Sequence, residues 1–593
     1  MTELSVGQPG FMLGVEARSP YFKAVAIDFD GTLAEGGPPA ASVLAAVRSA
    51  RERGLRLLLV TGRTLTDLWQ VFPDVVENFD LTVAENGAIL RAPEGHRRLA
   101  RPVDPELARA LQSRGIPVQP GEVILACDAV YDAEVFEEIR RLDLDCQLIR
   151  NRAALMVIPA GVTKASGLAV ALRELGLSPR SAIAIGDAEN DLALLEVCEL
   201  GVAVANAVPV VKQRADLVLD RADGSGVAEF LEGPIVRGKQ FIHPDRWRIR
   251  LGMFDDGEPA TLPSSQINIL VTGASQSGKS YLAGLITEQL IRLRYSVLVI
   301  DPEGDHARLG ELPDVLVVGG REGLPTPERL ANLLGLQLGS VVADLSFLSR
   351  EDANRYLKDV APWVERQRLQ KGAPHWVVID EAHGSLGAGG AVAQYLAPGA
   401  TGYLLVSYQP WELSSEALGG LDAMIAVAGG QQSGIGNIAK AMAGFAGDDA
   451  ASLMSRLEGA GLGRALLASR GGRTRTLQVG RRTTSHVRHW HKYAIVEQAA
   501  QSRFYFRRGP GEGIIAVAGN LQEFHRELSH CEAGVMLHHA MRHDFSRWIQ
   551  GVFRDSVLAE TIKAIEEGVV ATGANSNSIR NELLIAIEAR YLE

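Results

Sequence analysis

Short apolar runs, each followed directly by polar residues, alternate with helical periodicity along most of the chain. Runs of about four to eight apolar residues are typical of buried strands, and apolar residues at every third or fourth position are typical of helices. This alternation predicts an α/β fold with parallel sheets whose carboxyl edges collect the polar residues. The predicted strands are 23–27, 55–60, 182–185, 267–271, 296–300, 341–345, 376–379, 402–407 and 423–427.

The alternation of strand and helix patterns is interrupted in two places. A stretch rich in Gly, Pro and Asp contains one alternating segment, Trp247–Leu251, which predicts a small hairpin that links two α/β domains. Near the C-terminus, amphipathic segments at 557–567 and 579–591 predict a mostly α accessory domain. The predicted parts are 1–232, 233–263, 264–485 and 486–593.

The composition is that of an ordinary globular protein. Hydrophobic residues make up 46% of the 593 and charged residues 22%, so each domain can bury a core. The net charge of -11 argues against a protein that coats nucleic acid, although it is compatible with a local basic groove. The four cysteines never form CxxC, which argues against a disulfide framework. Met1–Ser19 lacks the layout of a signal peptide. No apolar run reaches the length of about 18 residues that a membrane-spanning helix needs. We therefore expect a cytoplasmic protein with no disulfide framework and no membrane partner.

Two aspartates, Asp28 and Asp30, follow the first predicted strand in the sequence DFDGTL. At a strand end, both carboxylates would face one crevice. Such a pair can divide the chemistry of phosphoryl transfer, since one carboxylate attacks phosphorus and holds Mg²⁺ while the other passes a proton to the leaving group.

Three later segments bring more polar groups to the same predicted edge. Thr61 and Gly62 end the second strand and offer a hydroxyl and an N–H to a phosphoryl oxygen. Lys164 opens a helical segment and would neutralise a transferred phosphate. Asp187 and Asp191 follow a third strand in the sequence GDAENDL, so four carboxylates would gather at this edge. These carboxylates repel one another unless a divalent cation such as Mg²⁺ lies among them.

A glycine-rich loop, GASQSGKS, lies between the predicted strand 267–271 and a helical segment at 281–293. Strand, loop and helix together form a phosphate-binding loop, whose backbone points consecutive N–H groups at the β- and γ-phosphates of a nucleotide. Lys279 adds positive charge, Ser280 can hold Mg²⁺, and the helix N-terminus favours the anion. The predicted ATP-binding residues are Gly273, Ser275, Gln276, Ser277, Gly278, Lys279 and Ser280.

The strand 376–379 runs into Asp380 and Glu381. An aspartate at this place can bind Mg²⁺ through water, and the adjacent glutamate can polarise an attacking water. Most small-molecule kinases lack the second acid, so the pair favours ATP hydrolysis.

The order DFDGTL, TGR, Lys164 and GDAENDL resembles the Cof-like branch of the haloacid dehalogenase superfamily of phosphatases. The resemblance implies a Rossmann-like domain with an α/β cap at about 88–162, dependence on Mg²⁺, and a small phosphorylated substrate, often a sugar phosphate. Late in that cap, Arg150, Asn151 and Arg152 are candidate substrate contacts, with a solvated surface as the alternative. The resemblance also implies that Asp28 is the nucleophile and Asp30 the general acid/base. It implies that Thr61 and Lys164 bind the phosphoryl group and that Asp187 joins Asp28 in binding Mg²⁺. Asn190 and Asp191 would order the side of the site that holds Lys164 and the metal.

The loop, the strand ending in DEAH and the segment from Ser407 to Leu413 resemble the HerA/FtsK group of RecA-like ATPases. That resemblance implies a RecA-like domain and a homo-oligomer, with a hexameric ring as its usual form. The chain departs from the group at Tyr408 and Gln409, where the family usually has Gln and Arg, which puts the coupling of hydrolysis to movement in doubt. The alternatives for Arg464, Arg470 and Arg473 are an arginine finger or solvent-exposed cations.

Eight of the thirteen histidines follow residue 485. His539 and His543, four residues apart on a predicted helix, could bind zinc from one face, but histidines of a core or an interface are the commoner case. His486, His489 and His491 match no standard zinc module.

The leading hypothesis is a phosphomonoesterase fused to an oligomeric ATPase. The first alternative is a DNA translocase or defence ATPase whose phosphatase domain trims nucleic-acid ends or nucleotides, with DNA as partner. A polynucleotide kinase-phosphatase is disfavoured by Glu381 and by the large cap. The fourth reading is a non-enzymatic, ATP-dependent scaffold.

Overall fold

Two large sheets dominate the fold, one in each predicted α/β domain. The computed structural model describes residues 21–151, 154–337, 339–387, 400–429, 434–484, 498, 500–509, 511, 513–553, 555–572 and 576–592. Contacts divide the chain into two units. The first comprises Met1–Leu298, Thr326–Val341 and Asn354–Arg481, and therefore holds both the phosphatase-like domain and most of the ATPase-like domain. The second comprises Val299–Pro325, Val342–Ala353 and Arg482–Glu593.

The first sheet is parallel through its centre. Its central strands are buried along their whole length, which is why they read as continuous apolar runs. The strands are β1 (Ala24–Asp28), β2 (Arg56–Val60), β3 (Leu81–Ala84), β4 (Ile89–Ala92), β5 (Gly95–Arg98), β10 (Ala182–Gly186), β11 (Leu200–Ala203) and β12 (Leu217–Val218), in the order β12-β11-β10-β1-β2-β3-β4-β5. The helices are Ala41–Glu52, Leu65–Val71, Val75–Asn78, Lys164–Leu175, Leu192–Val197, Pro209–Arg214 and Asp223–Glu232.

A cap with its own sheet and core is inserted after β5. Antiparallel β6 (Gln119–Pro120), β7 (Leu125–Asp128), β8 (Cys146–Asn151) and β9 (Ala154–Pro159) are ordered β6-β7-β9-β8, with helices Pro105–Ser113 and Asp132–Arg141. The predicted cap at 88–162 began too early, because β4 pairs with β3 and β5 pairs with β4, so that both strands extend the main sheet.

The second sheet has parallel strands at its centre and antiparallel strands at one side. In the first unit its order is β14-β13-β23-β22-β21-β15-β20-β19. These strands are β13 (Arg248–Phe254), β14 (Pro259–Pro263), β15 (Asn268–Gly273), β19 (Trp376–Ile379), β20 (Tyr403–Ser407), β21 (Ala423–Val427), β22 (Arg464–Ser469) and β23 (Arg475–Val479). The chain passes between the units in β16 (Val297–Asp301) and β18 (Ser340–Asp344), and β17 (Val315–Gly319) belongs to the second unit. The helices are Lys279–Arg292, Pro327–Gln337, Arg350–Lys371, Ala382–Leu386, Ser415–Gly419, Ile435–Ala446 and Ala450–Gly459.

The segment predicted as a linking hairpin is part of this sheet. Antiparallel β13 and β14 form the hairpin, and β13 also pairs with β23 from Gly252 to Phe254. The hairpin therefore closes one edge of the ATPase-like sheet rather than serving as a separate linker.

The C-terminal part of the second unit combines helices with one hairpin. Antiparallel β24 (Phe504–Arg507) and β25 (Ile514–Ala518) were not predicted. Phe504, Phe524 and Phe545 pack together in the core beneath the hairpin, with ring centroids 5.2–5.5 Å apart. The helices are Leu521–His530, Ala533–Ala540, Asp544–Trp548, Ser556–Thr572 and Ser576–Ile587.

The two sheets meet at their amino-terminal edges, within the first unit. Ser181 and Glu199 directly precede β10 and β11, while Ser265 and His375 lie just before β15 and β19. The hydroxyls of Ser265 and Tyr295 both donate to the Glu199 carboxylate, at 2.5 and 2.8 Å. Ser181 Oγ lies 3.2 Å from His375 Nε2. Both carboxyl edges, where the predicted sites lie, therefore face away from this junction.

Further bonds make the junction a buried contact rather than a hinge. Arg180 Nε donates to the Leu293 carbonyl at 2.8 Å, and its guanidinium lies 3.5 Å from the ring centroid of Trp247. Lys371 Nζ donates to the Leu175 carbonyl at 2.7 Å. The two α/β domains are thus held together by several bonds from each side.

In the part of the chain that the structure describes, no helix is both long and apolar enough to cross a membrane.

Candidate functional site

A buried ion cluster lies at the carboxyl edge of the first sheet. Asp28 is the last residue of β1, and Lys164 is the first residue of its helix. Lys164 Nζ donates to Asp28 Oδ1 at 2.5 Å and to Asp191 Oδ1 at 2.6 Å, and all three side chains are almost fully buried. Burial alone would lower the pKa of Lys164, but the negative charges of Asp191 and Asp28 outweigh it and raise the pKa. The lysine is therefore a permanent cation beside Asp28.

The position of Lys164 is set by its helix start and by a close glycine contact. Thr163 Oγ1 accepts from the Ser166 N–H at 3.1 Å, while Ser166 Oγ accepts from the Thr163 N–H at 2.9 Å, which is a capping box. A Cβ on Gly167 would lie 2.6 Å from the Gly87 Cα, and a Cβ on Gly87 would lie 2.0 Å from the Thr163 carbonyl oxygen. Only glycines let the helix approach this closely.

Three carboxylates, those of Asp28, Asp187 and Asp191, offer oxygens within 4.8 Å of one another. Asp191 Oδ2 accepts from the backbone N–H groups of Asp187 and Ala188, at 3.1 and 3.0 Å, and Thr32 Oγ1 donates to Asp187 Oδ1 at 3.1 Å. Burial and the charge of Asp191 raise the pKa of Asp28 well above its usual range. Three carboxylates against one lysine leave an excess of negative charge, so the donor set fits a divalent cation.

Asp30 lies outside this cluster. Its carboxylate receives two hydrogen bonds from Arg63, from Nε at 2.8 Å and from Nη2 at 2.6 Å. The planar fork of the guanidinium matches the carboxylate and holds it in a partly exposed position. The prediction of Asp30 as a fourth carboxylate of the metal site therefore needs correction: the described side chain points to Arg63 instead.

The predicted phosphate-binding groups lie together beside the cluster. Asn86 N–H donates to the Thr61 carbonyl at 3.0 Å, and Asn190 Nδ2 donates to Asn86 Oδ1 at 3.3 Å. A Cβ on Gly62 would lie 3.4 Å from the sulfur of Met156 in the cap and 3.8 Å from Asn190 Nδ2. The turn after β2 is thus enclosed by the cap on one side and by Asn190 on the other.

The glycine-rich loop connects β15 with the helix Lys279–Arg292. Gln276 and Gly278 have left-handed backbone, with φ of 70° and 101°. Lys279 Nζ reaches back over the loop to the Ala274 carbonyl at 3.0 Å. Ser277 Oγ is buried without a hydrogen-bond partner among the described residues, and a Cβ on Gly273 would lie 2.4 Å from it. The orphaned hydroxyl and the open backbone fit the phosphates of a nucleotide.

The other predicted loop residues take less buried positions. Ser275 is exposed, and Ser280, the second residue of the helix, is half-buried. Both can therefore reach a ligand above the loop.

The predicted acidic pair of the ATPase-like domain lies two strands away from the loop. Asp380 follows β19 and is buried, and its Oδ1 accepts from the Glu381 N–H at 2.8 Å. Glu381 has left-handed backbone, with φ of 48°, and its Oε2 lies 3.4 Å from His383 Nδ1. The ring of Tyr408 lies 4.5 Å from that of His383 and 5.9 Å from Lys279 Nζ. Tyr408, the residue that departs from the family pattern, therefore lies at the same site.

Two of the three arginines at the β22–β23 hairpin have partners within the chain. Arg470 donates to the carbonyls of Leu418, Gly419 and Leu421. Arg464 pairs with Asp255. Arg473 is exposed, so of the three it is the least committed to the fold of its own chain.

One histidine of the C-terminal part, His539, is bonded within the core. His539 Nδ1 pairs with Asp544 at 2.9 Å, and its Nε2 accepts from the Arg507 N–H at 3.0 Å. Both ring nitrogens are therefore occupied, which argues against a zinc site with His543. His486, His489 and His491 lie outside the described residues, as do Met1–Ser19 and Arg152.

In its first third this chain is a hydrolase of known type. The chain belongs to the haloacid dehalogenase-like hydrolases, whose family model matches residues 25–113 and 122–231. A second family model, the central domain of the helicase HerA, matches residues 266–362.

Curated relatives of the first domain carry a specific activity in their names. The phosphoglycolate phosphatase of Methanothermobacter thermautotrophicus is 32% identical over 216 residues, which is 35% of this chain and 96% of that relative. The phosphoglycolate phosphatase of Methanopyrus kandleri is 34% identical over 224 residues, covering 35% and 94%. A solved haloacid dehalogenase-like hydrolase from Bacteroides thetaiotaomicron has 22% identity and a TM-score of 0.32, and the match covers 36% of this chain and 98% of that one.

Four residues of these sites were not assigned a role from the sequence. Arg63 and His383 lie inside the quoted motifs TGR and DEAH. The sequence therefore places them near the candidate sites, but it does not indicate which residues they contact. Asn86 adjoins the third strand of the sheet, and a left-handed φ of 56° turns it toward the cleft. Tyr408 was noted only as a departure, and its contact with His383 depends on tertiary packing.

Proposed function

We propose that the first domain is a Mg²⁺-dependent phosphomonoesterase that works through an aspartyl-phosphate on Asp28. The observation that carries the proposal is the buried contact of Asp28 with Lys164 beside two further carboxylates. Asp28 Oδ1 is engaged by the lysine, which leaves Oδ2 to attack phosphorus. Mg²⁺, held by Asp28 and Asp187 and supported by Asp191, would supply positive charge against the phosphoryl oxygens.

The remaining groups have roles that follow from their positions. Lys164 and the N–H and hydroxyl groups at Thr61 and Gly62 orient the phosphoryl group. Asp30, which Arg63 holds near the site, would act as the general acid/base. It would enter the reaction in its protonated form, give that proton to the leaving oxygen, and regain one from the water that hydrolyses the aspartyl-phosphate. The cap, through Met156, excludes bulk water from the turn after β2.

The test is Mg²⁺-dependent release of phosphate from small phosphomonoesters by the wild type and by Asp28→Asn. We expect the variant to lose about a thousandfold or more in kcat, because the amide cannot act as the nucleophile. ATP binding should be unchanged, since the nucleotide loop lies in the other domain. Continued dephosphorylation by Asp28→Asn would show that another residue is the nucleophile.

We also propose that the second domain hydrolyses ATP. Support comes from the loop around Lys279, the orphaned Ser277 hydroxyl and the acidic pair Asp380–Glu381. Asp380 would hold Mg²⁺ together with Ser280, and Glu381 would orient the attacking water. In the strand order β21-β15-β20-β19, one strand, β20, lies between the strand that precedes the loop and the strand that precedes the acidic pair.

The deciding experiment is ATP hydrolysis by the purified protein with and without linear double-stranded DNA, with Lys279→Ala as the blank. A rate indifferent to DNA supports an ATP-gated metabolic phosphatase, which is the function we favour. Strong stimulation by DNA would instead support the translocase hypothesis, with the phosphatase acting on ends or nucleotides. Mass measurement with and without ATP tests the proposed homo-oligomer, for which a hexameric ring is the expected form.

A further inference from the structure

Tyr408 directly follows β20, the strand between the two strands that carry the predicted ATPase residues. On one side β20 pairs with β15, which leads into the glycine-rich loop, and on the other side it pairs with β19, which leads into Asp380 and Glu381. Because parallel strands end at the same edge of a sheet, Tyr408 lies between the loop and the acidic pair. The ATPases that this domain resembles usually have glutamine at this place, so the aromatic ring is a departure of this chain from their pattern.

The side chain of Glu381 needs a partner that fixes its direction. Its backbone is already fixed, since the Glu381 N–H donates to Asp380 Oδ1 at 2.8 Å. The side chain itself is 32% exposed, and a glutamate that keeps its rotamer freedom must lose that freedom each time it orients a water. His383 Nδ1 lies 3.4 Å from Glu381 Oε2, so this imidazole is in position to hold the carboxylate.

The imidazole of His383 is in turn held by two residues at the end of β20. Its Nδ1 lies 3.3 Å from Ser407 Oγ, and its ring packs edge to face against the ring of Tyr408, with centroids 4.5 Å apart and planes at 74°. Because Nδ1 is near both the serine hydroxyl and the Glu381 carboxylate, a small rotation of the imidazole changes which oxygen it faces. The edge-to-face contact, an attractive geometry for aromatic rings, restricts that rotation.

The ring of Tyr408 also lies near the lysine of the phosphate-binding loop. Lys279 Nζ is 5.9 Å from the ring centroid, within the range of about 6 Å over which an aromatic ring attracts a cation. Tyr408 is 39% exposed, so the core of the domain does not require its ring. A substitution at this position can therefore change hydrolysis without altering a residue that binds phosphate.

We propose that Tyr408 is a positioning residue for ATP hydrolysis: its ring fixes the imidazole of His383, and that imidazole holds the Glu381 carboxylate toward the attacking water. The tyrosine acts through the histidine and has no contact of its own with the reacting atoms. The inference rests on the proposed ATP hydrolysis and adds to it the residue that orients Glu381.

The test measures ATP hydrolysis by the full chain, with kcat expressed per nucleotide-binding site as counted by titration with a fluorescent nucleotide. Tyr408→Leu keeps the apolar bulk but removes the ring, and it should lower kcat by roughly threefold to tenfold, the size of one aromatic contact. Tyr408→Phe restores the ring without the hydroxyl, and it should recover most of the wild-type kcat. The Kd for ATP should be unchanged in both variants, because no residue of the glycine-rich loop is altered.

A double variant shows whether Tyr408 acts through His383. His383→Ala should lower kcat at least as much as Tyr408→Leu does, because it removes the group that holds Glu381. In the His383→Ala background, Tyr408→Leu should cause no further loss, since the ring then has nothing left to position. Trp411→Leu is the matched control: Trp411 is an exposed aromatic residue of the turn that follows, and its replacement should leave kcat unchanged.

Wild-type kcat in Tyr408→Leu, or a further loss in the double variant, would overturn the inference while leaving ATP hydrolysis in place. Equal losses in Tyr408→Phe and Tyr408→Leu would also overturn it, because the hydroxyl and not the ring would then be the acting group. Hydrolysis by the wild type that does not exceed the Lys279→Ala blank would overturn the proposed ATPase function itself, and the inference with it.

Discussion

Acidification should weaken the contact between the two α/β domains through one histidine. His375 is almost fully buried at the junction, where its Nδ1 accepts from the Ser296 N–H at 2.9 Å. Its Nε2 must therefore carry the proton and donate to Ser181 Oγ. Burial, with the nearby cations Arg180 and Arg368, lowers the pKa of His375 to about 3. The folded protein thus keeps this ring neutral, whereas the unfolded chain protonates it near pH 6.5.

The size of the effect follows from proton linkage. A histidine whose pKa is depressed in the folded state gives full stability above pH 6.5 and loses it as the pH falls toward 3. Between pH 7.5 and 5.0, protonation of the unfolded chain alone should reduce the free energy of unfolding by about 2 kcal/mol. The perturbation that isolates this loss is His375→Asn, since the asparagine oxygen can still accept from Ser296 but does not titrate.

The assay is thermal unfolding of the full chain at pH 7.5 and pH 5.0 for the wild type and the variant. Other groups titrate in this range, so the quantity of interest is the difference between the two proteins in their loss of stability. We expect His375→Asn to lose about 2 kcal/mol less than the wild type. The control is His530→Asn, at an exposed histidine, which should behave as the wild type does. Equal losses in the wild type and in His375→Asn would refute the buried, neutral histidine.

Three other variants test the sites directly. Gly87→Ala should destabilise the first domain by more than about 1 kcal/mol and lower phosphatase activity, because φ is 107° and the added Cβ would collide with a backbone oxygen. The control is Gly37→Ala, where the added Cβ would lie in open space. Normal Tm and activity in Gly87→Ala would contradict the close contact. Glu381→Gln should bind ATP normally in a fluorescent-nucleotide assay yet lose about a hundredfold or more in hydrolysis, and an unchanged rate would remove Glu381 as the residue that activates water. Lys279→Ala should abolish ATP binding while leaving phosphomonoesterase activity intact; nucleotide affinity equal to that of the wild type would be incompatible with the proposed loop.

The sequence predicted strands best where both faces of the strand are buried. The strands 376–379 and 423–427 have the predicted bounds, and the helix Lys164–Leu175 begins at the predicted residue, directly after its N-cap Thr163. Two other assignments failed for physical reasons. β4 and β5 form a local hairpin in which most residues are half-exposed or exposed, and β25 is a short apolar run with exposed side chains, so these strands lack the continuous apolar pattern of a buried strand.

At the candidate sites, the motifs predicted residues that the structure brings close together, but not the partners of those residues. Asp28, Lys164 and Asp191 come together as expected because each occupies a strand or helix end at one edge of the sheet. The turn of Asp30 toward Arg63 depends on side-chain rotamers, which no spacing encodes. The junction was also unpredictable, since polar residues that precede strands, such as Glu199, look like ordinary loop residues until two domains bury them.

The junction between the amino-terminal edges of the two sheets also limits how one candidate site can influence the other. Each carboxyl edge lies one strand length from the junction, so the lengths of two strands, about 30 Å, lie between the glycine-rich loop and Asp28. Under the proposed functions, phosphate released at one site would enter the solvent before it reached the other. Among the described residues of the first unit, the strands and the buried polar contacts at the junction form a continuous connection between the two sites. In any symmetric assembly of this chain, the orientation of every phosphatase-like cleft would be fixed by the ATPase-like domain of the same chain.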